Sequence, residues 1–214
     1  MSSSVITTER LILRTWTEAD RAPFSALSRD PEVMALVTPH PDRAASEAWI
    51  DRQVAAQSSD GFCFWAVEHS GSFVGAVGLL RVRYPAHFTP AIEVGWRIAR
   101  ASWGRGFAPE AAGAALRFGF TTLAVPEIVA NTIATNARSL RVMAKIGMTR
   151  NPADDFDHPL VPDGDPLRRQ VLYRITREHW AALFKAVPGR NTCSVNGWRK
   201  PDPVPHGGPS CPGC

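Results

Sequence analysis

The sequence predicts a mixed α/β domain, with antiparallel strands early in the chain and a crossover later. Three observations carry that prediction. Short alternating apolar stretches dominate the first half, at Glu9 to Trp16, Phe62 to His69 and Phe73 to Arg83. Ser70-Gly71 stands between two of them as a hairpin turn. Later, a glycine-rich segment separates an alternating stretch from a helix-periodic one, Trp103-Gly104-Arg105-Gly106-Phe107-Ala108.

Each element follows from its residues. In Glu9 to Trp16, Leu11 and Leu13 face one way and Arg10, Ile12 and Arg14 the other, the period of a strand. Thr17 starts a helix, and Asp20 three residues on makes an acidic capping box. Asp42 caps a second helix, in which Ala45, Trp49 and Ala56 recur beside Ile50 and Val54. After the hairpin, Ala91 to Ala99 is a strand with Ile92, Val94, Trp96 and Ile98 on one face. Pro109 sits in the first turn of the next helix, which carries Leu116, Phe118 and Phe120. Val125-Pro126 breaks it, and Glu127 to Ile133 reads as a buried strand. Asn136 caps a helix through Leu140, Met143, Ala144 and Ile146 that ends at Gly147. Residues 151–167 are rich in Pro, Asp and Gly and read as a loop. Gln170 to Thr176 is the last strand, and Thr176 opens a helix through Trp180 and Phe184.

Composition bounds the classes of function. The 214 residues fit one domain, residues 1–187, followed by a Pro/Gly-rich tail, 188–214, expected to be poorly ordered. Apolar residues make up 44% and charged residues 21%, an ordinary globular mix. The net charge of +4 fits a solvated surface first, and an anionic ligand or an acidic protein surface as the alternative. No basic stripe or motif points to nucleic acid. No stretch reaches the roughly 18 apolar residues of a membrane span, so a cytoplasmic protein is expected. Three of the four cysteines, Cys193, Cys211 and Cys214, lie in the tail, which is no disulfide framework. With His206 they have the residue types of a zinc site, but one Cys-x-x-Cys pair in Pro/Gly sequence is a weak signal, and no metal is expected.

Strand 91–99, the segment Trp103 to Ala108 and the helix after it make a strand–loop–helix anion site by its chemistry. Glycines let the backbone turn and approach a ligand, and the first helical turn offers N–H groups and a favourable dipole. Two familiar phosphate motifs do not fit. The G-x-x-x-x-G-K-[ST] loop is absent, and the third glycine of G-x-G-x-x-G is replaced by Pro109. Glu127 follows Pro126 at the start of a strand, the wrong place for a ribose-binding acid. A purely structural turn is the other reading of the glycines.

Four pieces in order then resemble the GNAT acetyltransferase superfamily, within it the ribosomal-protein-alanine N-acetyltransferase-like branch. They are Thr8-Glu9-Arg10-Leu11-Ile12-Leu13-Arg14, Glu93-Val94-Gly95-Trp96, Trp103 through Ala111, and Asn136-Ala137-Arg138-Ser139 continuing to Lys145-Ile146-Gly147-Met148. Gly106 and Ala108 match the last two fixed places of the family's Q/R-x-x-G-x-G/A loop, while Trp103 replaces the first. The resemblance implies the GNAT fold, with antiparallel N-terminal strands, splayed central strands and flanking helices. It implies acetyl-CoA as acyl donor, lying between strands 91–99 and 127–133 against Trp96, Arg97 and Ile98. Its pyrophosphate would sit on Trp103, Gly104, Arg105, Gly106, Phe107 and Ala108, with Asn136 and Ser139 on the pantetheine arm.

The resemblance also implies the catalytic groups. Glu93 is the first candidate for the base; a Glu paired with Arg or solvated is the other reading. Asp154, Asp155, Asp157 and His158 are weaker alternatives. Met143 stands where many relatives place a Tyr acid, so Ser139 is the candidate donor to the leaving sulfur, or else a support for the helix start. Tyr173 reads as core or wall. The acceptor is a primary amine, a protein N-terminus or a small molecule, shaped by residues 30–45, 83–91 and 151–167. Dimers are common among look-alikes, so a homodimer is compatible. A non-catalytic acyl-CoA sensor of the same fold is the alternative.

Overall fold

The computed structural model describes residues 4–37, 42–185 and 194–195. The first alternating stretch is split. Strand β1 (Ser4–Thr7) turns into β2 (Ile12–Arg14) through Thr8, whose N–H donates to the Leu11 carbonyl and whose hydroxyl oxygen accepts from the Leu11 N–H, each at 2.9 Å. Leu11 and Leu13 are buried, as the alternation requires.

A short 3-10 turn, Glu18–Asp20, leads into α1 (Arg21–Arg29). The Asp20 carboxylate accepts from the Thr17 N–H and hydroxyl, both at 2.8 Å, and from Arg14 at 2.7 and 2.8 Å. Burial alone would raise this carboxyl; Arg14 and Thr17 overcome it and hold Asp20 below its ordinary value. A helix not anticipated from sequence, α2 (Pro31–Met34), is capped by Asp30, which accepts from Glu32 N–H at 2.9 Å. Helix α3 (Arg43–Asp60) is capped by Asp42 at 2.7 Å from Ala45 N–H. Its inward face is Trp49, Ile50 and Gln53; Val54 stays 45% exposed.

Strands β3 (Phe64–His69) and β4 (Ser72–Arg81) form the expected hairpin, with positive φ at both Ser70 and Gly71. Then come β5 (Ile92–Ile98), α4 (Phe107–Thr121), β6 (Glu127–Thr132) and α5 (Ala137–Lys145). Two short strands, β7 (Thr149–Arg150) and β8 (Phe156–Asp157), pair with β9 (Arg169–Thr176), so residues 151–167 are not wholly loop. Helix α6 (Arg177–Lys185) follows, and β10 (Ser194–Val195) pairs with β1. That pairing places two residues of the expected tail on the sheet edge. Cys193, His206, Cys211 and Cys214, with the rest of 196–214, lie outside the described residues.

The strand order is β10-β1-β2-β3-β4-β5-β6-β9-β7, and β5 with β6 is the parallel pair in it. Each face carries its own packing. On one, Phe24 and Trp49 stack at 4.6 Å and reach Trp16 and Phe64. On the other, Phe118 of α4 meets Trp65 edge-on at 5.2 Å. Gly95 is required by this packing: a Cβ there would stand 2.4 Å from the Phe64 ring. Among the described residues no helix is long and apolar enough to cross a membrane.

Candidate active site

The site begins with a defect in the sheet. β4 and β5 pair over seven residues, Gly75↔Ile98 to Arg81↔Ile92, whereas β5 and β6 share the single pair Glu93↔Val129. Beyond it the strands part. Two bonds fix which way the β5 backbone faces: Val82 N–H to Ala91 carbonyl, and Ala99 N–H to Val74 carbonyl, both 2.9 Å. In an antiparallel ladder, alternate residues bond to the same neighbour. The odd-numbered residues therefore face β4, and Trp96 and Ile98 turn their backbone groups toward the gap. The Ile98 carbonyl there accepts from the Trp103 indole N–H at 2.8 Å.

The glycine segment continues from the open end of β5. Gly104 and Gly106 have φ of +74° and +79°, a region in which a side chain is strained. That turn lets α4 begin at Phe107, with Glu110 N–H donating to the Gly106 carbonyl at 3.2 Å. Pro109 lies in the first turn, where an N–H is not needed inside the helix.

A brace outside the cleft holds this turn. Arg10 Nε donates to Glu110 Oε2 at 2.7 Å, and its NH1 to the Arg105 carbonyl at 2.9 Å. Thr8 hydroxyl donates to Glu110 Oε1 at 2.6 Å. The Arg105 guanidinium hydrogen-bonds His69 Nε2 at 3.0 Å and lies 4.5 Å over the Phe107 ring. Arg105 contributes its backbone to the glycine turn, while its side chain points behind the loop and does not line the cleft. Glu110 was not foreseen as important. Its signal was the joint presence of Thr8-Glu9-Arg10 and Pro109-Glu110-Ala111, two pieces of one clamp.

The gap itself is a cleft of about 300 Å³. Trp96, Ile98, Trp103, Gly104, Gly106, Phe107 and Ala108 line one side, and Asn136 and Ser139 face them from α5. Asn136 is buried; its Oδ1 accepts from Ser139 N–H at 3.2 Å and its Nδ2 donates to Thr132 Oγ1 at 2.9 Å. Its amide is thus fixed at both ends. The Ser139 hydroxyl, by contrast, makes no hydrogen bond among the described residues, and it lines the cleft. Met143 is buried in the core. Arg97 touches the cleft, but its guanidinium lies 5.5 Å over Trp49 and 5.9 Å over Phe24, and burial lowers its pKa to about 10.

Glu93 occupies the point where β5 and β6 part. By alternation it faces away from buried Ile92 and Val94. It makes no hydrogen bond or ion pair among the described residues, and burial pushes its carboxyl up to about 7. Asn131, two residues past Val129 on β6, donates to the Tyr84 hydroxyl at 3.3 Å. The Tyr84 ring lies 4.3 Å from that of His158 and stacks with Phe156. Desolvation raises the Tyr84 phenol, and the Glu93 charge adds to this.

The other candidate bases are occupied. Asp154 pairs with Arg174 at 2.8 Å, Asp155 with Arg150 at 3.0 Å and Asp157 with Arg169 at 3.2 Å. His158 accepts from Leu160 N–H at 3.3 Å, and burial lowers its pKa. Tyr173 packs at the margin of the core.

A parallel strand pair thus splays onto a glycine turn, with Glu93 at its apex. The chain belongs to the acetyltransferase (GNAT) domain family, whose model matches residues 10–149. It is similar to the FsC-acetyl coenzyme A-N(2)-transacetylase of Aspergillus fumigatus, 33% identical over 168 residues, covering 74% of this chain and 70% of that one. It is similar also to the uncharacterized protein YkkB of Bacillus subtilis, 32% identical over 146 residues, covering 67% and 84%. The solved GNAT-family acetyltransferase from Bacillus anthracis superposes with a TM-score of 0.66 at 25% identity, covering 81% of this chain and 99% of that one. The protein is accordingly a GNAT acetyltransferase.

Proposed function

We propose that the amine attacks the thioester directly, in a ternary complex assembled across the β5–β6 gap. The observation that carries this reading is the position of Glu93 at the apex of the splay. Acetyl-CoA lies along the cleft with its pantetheine amides against the outward backbone of Trp96 and Ile98, as an added strand would. The N–H groups of the glycine turn receive the pyrophosphate. The Ile98 N–H faces the gap and is the candidate donor to the thioester carbonyl as negative charge develops on it.

The acceptor reaches the apex from the side of Glu93, Tyr84 and Asn131. An ammonium has no lone pair, so a proton must leave it first. The Glu93 carboxylate takes that proton, directly or through one water. The free amine then forms the C–N bond, and the C–S bond breaks as the tetrahedral centre collapses. Ser139 hydroxyl, unengaged and facing the cleft, donates to the departing sulfur. Ser139→Ala should therefore lower kcat by about 10- to 100-fold, the worth of one hydrogen bond to a charged atom, with KM for acetyl-CoA little changed. A loss confined to KM would make Ser139 a binding residue instead.

The acceptor is a primary amine, on a protein N-terminus or a small molecule. The Aspergillus relative's name specifies transfer to an N(2) nitrogen, which supports an amine acceptor. Release of free CoA thiol, measured with peptides bearing free or blocked N-termini and with small amines, tests the reading. Thiol release with an amine, and none with its blocked form, is the expected result. Binding of acetyl-CoA without thiol release from any amine would make the protein a binding module.

A further inference from the structure

The glycine turn offers a pyrophosphate dipoles but, on its own, no charge. Arg105 is held behind it by His69 and Phe107, and Arg10 is committed to Glu110 and the Arg105 carbonyl. Arg97 is stacked on the opposite face of the sheet. The cations that line the cleft from its other wall are Arg138, Arg141 and Lys145 of α5. Spacings of three and four residues set them along one side of that helix. Glu32 also lines the cleft, but it is paired with Arg100.

One of the three is seated on the loop itself. The Arg138 guanidinium carbon lies 3.9 Å from the centre of the Trp103 ring. Trp103 is fixed in turn, because its indole N–H donates to the Ile98 carbonyl at 2.8 Å. The pair therefore spans the cleft from α5 to the start of the glycine turn. A guanidinium stacked by its face keeps its N–H edge available, and that edge matches two phosphate oxygens at once.

We propose that Arg138 is the side-chain cation for the pyrophosphate of acyl-CoA, and that Trp103 is the platform that aims it at the glycine turn. The inference rests on the cleft being the acyl-CoA site. It assigns Trp103 a role through Arg138 and makes it a positioning residue for that contact.

The test compares two donors, acetyl-CoA and S-acetylpantetheine, which carries the same thioester without phosphates. Arg138→Met should lower kcat/KM for acetyl-CoA by about 10- to 100-fold, the range for a charge-assisted hydrogen-bonded contact, through KM. It should leave kcat/KM for S-acetylpantetheine unchanged. Arg138→Lys keeps a charge without the fork and should recover only part of the loss. Trp103→Phe keeps a ring under Arg138 and should cost less than Trp103→Ala. The double variant Trp103→Ala with Arg138→Met should be no worse than Arg138→Met alone, because the two act as one unit. An equal loss for both donors, or no loss for either, overturns the assignment. Wild-type protein that neither binds nor uses acetyl-CoA overturns the reading of the cleft itself, a result the donor comparison keeps separate.

Discussion

Glu93→Gln should slow acetyl transfer by about 100- to 10,000-fold at roughly pH 8, the span of a lost general base. The pH dependence follows from burial, which raises the Glu93 carboxyl to about 7. Below that value both rates fall together, the wild type as Glu93 takes up its proton and the variant as free amine is lost, so the gap stops widening. Above the pKa of the acceptor amine the free base exists without help, and the gap narrows. The loss is therefore largest at about pH 7 and below and shrinks toward the acceptor's own pKa, which is higher for a Lys-type amine than for an α-amine. A variant whose profile keeps the limb near pH 7, and not one moved to the pKa of the acceptor amine, removes Glu93 from the mechanism.

The same substitution has a second signature. A carboxyl whose folded pKa is raised holds its proton more tightly in the folded state. Its charge therefore costs stability as pH rises from the unfolded value, near 4.5, to about 7, and the cost is constant above. At most this amounts to about 3 kcal/mol. Glu93→Gln should thus raise the unfolding free energy relative to wild type above pH 7, and by less near pH 5. A Glu serving as the partner of an arginine would behave oppositely, since removing it would strand a charge. An enzyme made slower and more stable by one change is the pattern expected of an acid kept unpaired for chemistry.

Gly106→Pro should abolish the stabilisation of the protein by acetyl-CoA. Proline fixes φ near −65°, and Gly106 needs +79°, so the glycine turn cannot form. Saturating ligand at a hundredfold excess over Kd stabilises a protein by about 2.7 kcal/mol, which a thermal shift reads directly. Gly106→Ala is the milder companion. Alanine at positive φ costs about 1–2 kcal/mol, and its Cβ would meet the Arg10 guanidinium at 3.3 Å. That guanidinium ends a flexible side chain and can shift, so a weakened but measurable ligand shift is expected. An undiminished shift in the proline variant would place the ligand elsewhere.

What was legible in the sequence was whatever local chemistry decides. The Ser70-Gly71 hairpin, the Asp42 and Asn136 caps and the glycine turn rest on side-chain size and on φ, and they stand where their residues put them. The two-residue strands β7, β8 and β10 were not legible, because each exists through its partner's register and has too few residues to show a period. The split of β1 from β2 turned on the Thr8 side chain bonding back to Leu11.

The site divides the same way. That a glycine turn opens a helix is local; where Arg105 points is not, because His69 and Phe107 lie on other elements or beyond the turn. Glu93 could be named, but its standing among the acids needed tertiary partners. Only once Arg174, Arg150 and Arg169 take Asp154, Asp155 and Asp157 does Glu93 remain unpaired among these candidates. The clamp of Arg10 on Glu110 joins residues a hundred positions apart. Its two halves were visible as motifs, and their contact was not.

Amide hydrogen exchange with and without saturating acetyl-CoA tests the central claim most directly, because it reports on the backbone that lines the cleft. Bound acetyl-CoA should slow exchange at Trp96 and Ile98 and at residues 104–108 in the wild type, and should leave the Gly106→Pro variant unaffected. Unchanged exchange along β5 and the glycine turn in wild-type protein, with acetyl-CoA demonstrably bound, would contradict the account.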